Sequence, residues 1–194
     1  MRGVDPTRFV FVDELGSHLG LTRPYARGPR GARAIGSAPR NRGQNRTTLA
    51  SLTLDGLAPG LLVEGGVTTR GFEASLEHVL APTLRPGRIV VLDNLRQHRS
   101  ERTRALIEAR GAELWFLPGY SPDDTPIEAA FSKVKARLRT AAAREHEALV
   151  AEIGAALGAV TPTDAHRYFT HGGYPPLTRR HPRARRAASR RRAA

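Results

Sequence analysis

Three acidic residues stand where the chain could hold metal ions. Asp13 ends the apolar stretch RFVFVD (8–13), and Asp93 ends a second one, RIVVLD (88–93). Glu128 lies in the first turn of a predicted helix. The carboxyl ends of neighbouring central strands meet at one edge of an open α/β sheet, and Glu128 can face that edge. Converging carboxylates repel unless cations hold them, and hard oxygen ligands suit Mg²⁺ or Mn²⁺. Two such ions about 4 Å apart could assist phosphodiester cleavage or transfer.

Each of these acids also has a purely structural interpretation. A single Asp after a strand is more often a turn former or a helix cap. Glu14, the next residue, is a rival candidate for the metal-ligand role of Asp13. Glu128 fits a capping box, in which Thr125 is the N-cap and Pro126 the first helical residue. The two roles do not exclude each other, because a helix that begins here would also hold Glu128 near the other acids. The set of three is more specific than any one member.

The apolar pattern predicts the elements that must position these acids. The runs 8–13, 88–93 and 112–118 each contain four consecutive large apolar residues, which is typical of central, largely parallel strands covered on both faces. Between the first two runs, polar and apolar residues alternate up to a turn at Asp55-Gly56, which indicates an antiparallel hairpin. Helical patterns are predicted over 69–84, 100–111, 126–142, 145–158 and 162–171.

This order predicts an α/β fold in which a mixed sheet carries helices on both faces. Ribonuclease H-like nucleases have such a layout. An ordinary doubly wound sheet is the alternative, although no Gly-rich phosphate loop follows any of the predicted strands. The 194 residues are expected to form one catalytic domain over 1–174 and a basic, disordered tail over 175–194.

Composition excludes several classes of site. The chain has no cysteine, so disulfides, zinc–thiolate sites and cysteine nucleophiles are ruled out. It also has no apolar run approaching 18 residues and no signal-peptide pattern at its start, so a cytoplasmic location without membrane contact is expected.

The basic residues are concentrated in two arginine-rich segments. The chain has a formal net charge of +13, and these two segments hold 15 of its 31 basic residues. The rest of the chain is close to neutral. Arginine binds phosphate through a bidentate fork, so a neutral body with such segments indicates a nucleic-acid partner. The arginines of the two segments are Arg23, Arg27, Arg30, Arg33, Arg40, Arg42 and Arg46, and then Arg179, Arg180, Arg183, Arg185, Arg186, Arg190, Arg191 and Arg192.

Four stretches together resemble a known family. FVDE, VVLDNLRQH, LWFLPGYSPDDTPIEAAFSKVKARLR and THGGY are similar to bacterial insertion-sequence transposases related to the mariner transposons, within the DDE superfamily. The similarity runs from about residue 5 to residue 174. Between Asp93 and Glu128 lie 34 residues, the interval that this group uses between its second and third catalytic acids.

The resemblance implies a ribonuclease H-like fold with Asp13, Asp93 and Glu128 as the metal-binding triad for two Mg²⁺ or Mn²⁺ ions. It also implies that Asn94 and His98 flank the site, although a histidine taken alone is more often a surface or capping residue. The implied chemistry is metal-dependent hydrolysis at transposon ends, followed by attack of the freed 3′-OH on target DNA. The implied partners are double-stranded DNA and a second copy of the chain, as a dimer.

The sequence also departs from the family pattern. The family usually has an N-terminal helix-turn-helix region, whereas here the first catalytic strand is predicted to begin at Arg8. A separately encoded helix-turn-helix portion is therefore one expectation. The usual SPDLNPIE reads SPDDTPIE, so Asp124 replaces an apolar residue near the site. The alternative function is an inactive, truncated transposase remnant that binds DNA or an intact transposase. A host nuclease on the same fold is a third interpretation, which the 34-residue interval disfavours.

Overall fold

A mixed β-sheet lies at the centre of the chain in the computed structural model, which describes residues 3–58, 60–118 and 125–175. Its strands follow the predicted apolar runs and the predicted hairpin. Within the described residues they are β1 (Phe9–Ser17), β2 (Arg46–Thr53), β3 (Gly56–Ala58), β4 (Leu62–Glu64), β5 (Ile89–Leu92) and β6 (Glu113–Phe116).

The sheet combines antiparallel and parallel pairing, as predicted. Its order is β3-β2-β1-β5-β6. β4 also pairs with β2, along its first three residues, whereas β3 pairs with its last three. β1 is antiparallel to β2 but parallel to β5, and β5 is parallel to β6. β1 is therefore the strand at which the antiparallel hairpin joins the parallel half of the sheet.

Two details of the hairpin differ from the sequence prediction. β1 continues to Ser17 instead of ending at Asp13, because the residues after Asp13 pair with β2 as far as Arg46 and Leu15 among them is fully buried. Thr53 pairs with Gly56, so the turn lies one residue earlier than predicted. Gly56 has φ +115°, and an added Cβ would lie 2.8 Å from the carbonyl oxygen of Val160. Only glycine fits this position without strain.

The predicted helices are present, with one change. The stretch 69–84 is not one regular α-helix: α1 (Thr69–Ser75) continues into a wider π-helical turn over Leu76–Leu80 and a 3₁₀ turn over Ala81–Thr83. The others are α2 (Glu101–Glu108), α3 (Pro126–Ala141), α4 (His146–Gly158) and α5 (Pro162–His171).

Helices cover both faces of the sheet, as expected. The large apolar side chains of α3 are spaced by three or four residues, and all are buried: Ile127, Phe131, Val134 and Leu138. Together with apolar side chains of α4 and α5 they pack against one face of the sheet. α1 and α2 cover the other face. This second core contains Phe72 and Ile107. The predicted mixed sheet with helices on both sides is thus confirmed.

The end of the described chain packs into the core between the sheet and the helices α3, α4 and α5. The Tyr174 ring packs edge-on against Phe9 and Phe11, with ring centroids 5.3 and 5.1 Å away. The tail predicted over 175–194 falls outside the described residues from 176 onward. No helix in the described ranges is long and apolar enough to cross a bilayer.

Candidate active site

The parallel pairing of β1 and β5 brings the first two predicted acids together. Phe9 pairs with Ile89, and Phe11 pairs with Val91. Asp13 follows Phe11 by two residues, and Asp93 follows Val91 by two residues. Because neighbouring strands lie about 4.8 Å apart, the same register sets these two residues opposite each other where the parallel pairing ends.

Alternation along β1 assigns its two acids to opposite faces of the sheet. Phe9 and Phe11 belong to the core beneath α3, whereas Val10 belongs to the core beneath α1 and α2. Side chains in a strand alternate with a period of two, so Asp13 shares the α3 face and Glu14 lies on the other face. Of these two acids, Asp13 is the one on the face that α3 covers, and the charge of Glu128 acts on it.

The electrostatics of Asp13 reflect this cluster. Burial raises the pKa of Asp13 to about 6, against an ordinary value of 3.8. A hydrogen bond from the Glu14 backbone N–H to Asp13 Oδ1, 2.7 Å long, opposes the increase. The negative charges of Asp93, Glu128 and Glu14 are smaller contributions to the same increase in pKa. All three predicted acids are thus close enough to interact, and their mutual repulsion is a property that a bound cation would relieve.

Asp93 is held by two hydrogen bonds on the same oxygen. Its Oδ1 accepts the backbone N–H of Leu95 at 3.1 Å and faces Nδ1 of His98 at 2.5 Å. The first bond closes a short turn directly after β5, and the second comes from the 3₁₀ turn Arg96–His98. The carboxylate orientation is thus fixed by residues that follow within one turn of the chain.

His98, which the resemblance implies to flank the site, is buried beside Asp93 and is not a surface histidine. Its side chain is 1% exposed, and its ring stacks on Phe72 with centroids 4.1 Å apart. Nε2 of the ring lies 3.3 Å from Oε1 of Glu14, which also accepts a hydrogen bond from Gln97 Nε2 at 3.0 Å. The imidazole therefore lies between two carboxylates, those of Asp93 and Glu14.

His98 and Asp93 shift each other's pKa in opposite directions. Burial lowers the pKa of His98, but hydrogen bonds to Asp93 and Glu14 and their negative charges outweigh it and raise the pKa to about 9. Burial raises the pKa of Asp93, but the bonds from His98 and Leu95 outweigh it and hold that pKa below its ordinary value. At neutral pH the pair is a charged His98 and an ionised Asp93.

Glu128 occupies the first turn of α3 and is exposed. Thr125 is the N-cap and Pro126 opens the helix, as predicted, yet the Thr125 side chain makes no capping hydrogen bond. The reciprocal bonds of a complete capping box are therefore not formed here. A complete box occurs instead at α5, between Thr161 and Asp164.

The sequence of this chain matches a known protein family over most of its length. A family model described as DDE superfamily endonuclease matches residues 8–150, a range that contains Asp13, Asp93 and Glu128. The chain belongs to the DDE superfamily endonucleases. The family membership expected from the sequence resemblance is confirmed.

Solved structures of one transposase share the fold of this DDE chain. The Mos1 strand transfer complex matches with a TM-score of 0.68 and 20% identity, over 85% of this chain and 51% of that one. The Mos1 mariner paired-end complex with Mn matches with a TM-score of 0.66 and 19% identity, over 87% and 52%. The Mos1 catalytic domain with Raltegravir and Mg matches with a TM-score of 0.56 and 14% identity, over 89% and 83%.

These matches confirm the ribonuclease H-like mixed α/β fold predicted for the DDE chain. The chain spans about half the length of the transposase chains in the DNA complexes, and most of the length of the chains described as the catalytic domain. A search of curated proteins found no match.

The donor set of the DDE chain fits a hard divalent cation in chemical type. Asp13 and Asp93 supply carboxylate oxygens from adjacent strands, and Glu128 is near enough to raise the Asp13 pKa. Within the described ranges, however, no three His, Asp or Glu side chains are arranged so that they could hold a metal ion. The structure thus gathers the three acids at one edge of the sheet without closing them into a coordination shell. Asp123 and Asp124 lie outside the described residues.

Sequence reasoning missed the role of Glu14. It treated Glu14 as a rival of Asp13, whereas the structure directs Glu14 to His98 on the opposite face. The signal that separates them was present, because Phe9, Phe11 and Asp13 share one parity along the strand and Val10, Val12 and Glu14 share the other. Asn94, implied as a flanking residue, is exposed directly beside Asp93.

Proposed function

We propose that this chain is the catalytic domain of a mariner-type DNA transposase that cleaves transposon ends and joins them to target DNA. The observation that carries the proposal is the β1–β5 register, in which Phe11 is opposite Val91, so that Asp13 and Asp93 follow two residues later on adjacent strands. The charge of Glu128, in the first turn of α3, also acts on Asp13. Membership in the DDE endonuclease family and the shared fold support the same conclusion.

The proposed ligands of two Mg²⁺ or Mn²⁺ ions are Asp13, Asp93 and Glu128. When bound, such ions would supply activation of the attacking oxygen and stabilisation of the leaving oxygen. Asp13 contributes a half-buried carboxylate whose negative charge is costly in the absence of a cation. Asp93 contributes a carboxylate of fixed orientation. Water first attacks the phosphorus at the transposon end, and the P–O bond to the 3′ oxygen breaks. The freed 3′-OH then attacks the phosphorus of a target phosphodiester, so that a new P–O bond joins the two DNAs while the P–O bond to the target's own 3′ oxygen breaks and that oxygen leaves as a 3′-OH.

The arginine-rich segment between β1 and β2 is the proposed surface for the DNA backbone. No Asp or Glu occurs from residue 15 to residue 54. Arg46 pairs with Glu64 at 2.7 Å, but among the described residues Arg27, Arg30 and Arg33 form no salt bridge and are exposed. Their charges are therefore available to phosphates.

The same segment is fixed to the end of α3. Arg144 donates hydrogen bonds to the carbonyl oxygens of Leu19 and Leu21 at 2.7 and 3.1 Å, and Arg23 Nε donates to Thr140 Oγ1 at 3.2 Å. α3 therefore has Glu128 in its first turn and the arginine-rich segment at its other end. A duplex lying along this helix would contact both. A dimeric assembly and a separate helix-turn-helix portion follow from the family resemblance alone.

The test is Mn²⁺-dependent nicking of supercoiled plasmid by the purified chain. We expect nicking by the wild type and loss of nicking in Asp93→Asn, which removes one charge without changing the shape of the side chain. Asp55→Asn is the matched control, because Asp55 is an exposed turn residue outside the site. Its nicking should equal that of the wild type. Equal nicking by the wild type and Asp93→Asn would contradict the proposal.

One observation favours the alternative of an inactive remnant. The three acids, although close, are not arranged to hold a metal ion in the described part of the chain. If the remnant hypothesis is correct, the wild type will bind DNA with the salt dependence of a phosphate-binding protein but will not nick it with any divalent cation.

A further inference from the structure

The orientation of Asp93 depends on His98. Both hydrogen bonds to this carboxylate end on Oδ1, one from the Leu95 backbone and one from His98 Nδ1. Oδ2 is then the oxygen directed to any ligand of the carboxylate. The Leu95 bond forms within the chain turn whatever side chain stands at 98, so the imidazole is the second constraint that prevents rotation about the Cβ–Cγ bond.

Besides its bond to Asp93, the His98 ring is held by contacts with Phe72 and Glu14. Its ring stacks on Phe72 at a centroid distance of 4.1 Å, and it is 1% exposed. Its second nitrogen, Nε2, lies 3.3 Å from Oε1 of Glu14. Glu14 is in turn held by Gln97 Nε2 at 3.0 Å. A buried ring with a carboxylate at each nitrogen has only one orientation that satisfies both.

We propose that His98 is a positioning residue that aims Asp93 at the metal, and that Glu14 holds the His98 ring from the opposite face of the sheet. This role rests on the proposed function, because it assumes that Asp93 is a metal ligand. Glu14 then acts through His98 and does not touch the metal or the DNA. The arrangement joins an acid of one face of β1 to the chemistry on the other face.

The expected magnitude follows from the general behaviour of groups that orient metal ligands. Removing such a partner typically weakens metal binding or activity by about 10- to 100-fold. A purely structural histidine would behave differently. Its replacement would lower stability through weaker packing on Phe72, but the folded fraction would bind metal as the wild type does.

The test measures Mn²⁺ binding to the full chain by water-proton relaxation, without DNA and without turnover. The variants are His98→Asn, whose amide can replace the Nδ1 donor toward Asp93, His98→Gln, whose amide reaches the Nε2 position toward Glu14, and His98→Leu. We expect His98→Asn to bind Mn²⁺ within about threefold of the wild type, and the Gln and Leu variants at least about tenfold more weakly. Glu14→Ala should fall between these groups. His166→Leu, an exposed position on α5, is the control.

The ranking separates positioning from packing, because Asn, Gln and Leu all remove the stacking of the imidazole on Phe72. Thermal melting of the metal-free variants records that effect separately. Wild-type Mn²⁺ affinity in His98→Leu, or equal affinities in the Asn and Gln variants, would overturn the positioning role. Equal Mn²⁺ binding by the wild type and Asp93→Asn would instead overturn the proposed metal site, and this role with it.

Discussion

Replacing Asp13 by Asn should stabilise the metal-free protein at neutral pH. The pKa of Asp13 rises from 3.8 to about 6 on folding, because burial and nearby carboxylates disfavour its charge. The folded state therefore binds this proton more tightly than the unfolded state, and ionisation of Asp13 lowers the free energy of unfolding as the pH rises from about 4 to about 6. One pKa unit corresponds to about 1.4 kcal/mol, so the cost at pH 7.5 is about 3 kcal/mol.

Asparagine removes this cost and keeps the other contacts. Its side-chain oxygen can still accept the Glu14 N–H, which bonds Asp13 Oδ1 at 2.7 Å in the wild type. The stabilisation should therefore depend on pH. We expect about 3 kcal/mol at pH 7.5, roughly half of that at pH 5 and less than about 1 kcal/mol at pH 4.

The assay is urea denaturation of both proteins in EDTA at these three pH values, followed by far-UV circular dichroism. A difference that does not grow with pH would refute the electrostatic reasoning, and a less stable variant at pH 7.5 would refute it most directly. Adding Mn²⁺ should narrow or reverse the difference at pH 7.5, because only the wild type retains the carboxylate that a cation stabilises.

Three further predictions concern other parts of the molecule. Phe169→Ala should lower the free energy of unfolding by about 3–5 kcal/mol in urea titrations, because the ring is fully buried in the core beneath α3. Gly56→Ala should cost more than about 1 kcal/mol in the same assay, because its φ of +115° and the neighbouring carbonyl oxygen exclude a Cβ. Replacing Arg27, Arg30 and Arg33 by Gln should weaken DNA binding and reduce the slope of log K against log salt by up to about 0.9 for each phosphate that is no longer neutralised, with the fold unchanged by circular dichroism.

The sequence predicted the elements that carry strong local patterns. The apolar runs that became β1, β5 and β6 are too short and too continuous for amphipathic helices, and α3 is indicated by its spacing of apolar residues and by Pro126 at its start. These signals are contained in a few neighbouring residues. Asp13 and Asp93 could be expected at one edge because parallel strands end together.

Features that depend on distant partners could not be predicted in the same way. β1 runs on to Ser17 because β2 pairs with it, although Leu15 is the one large apolar residue among its last five. His98 is buried because Phe72 and Glu14, both remote in sequence, enclose it. No local pattern around residue 98 distinguishes such a histidine from one on the surface.

The closing pair of the β1–β2 hairpin has a consequence for engineering. Ser17 and Arg46 are directly opposite in the ladder, so the intervening segment leaves and re-enters the sheet at adjacent points, about 5 Å apart. Doubling the length of such a loop costs only about 0.6 kcal/mol in closure entropy. A different peptide can therefore be inserted between Ser17 and Arg46. The insertion should change what the domain binds, whereas the pairing of β1 with its neighbouring strands, and with it the position of Asp13, should stay the same.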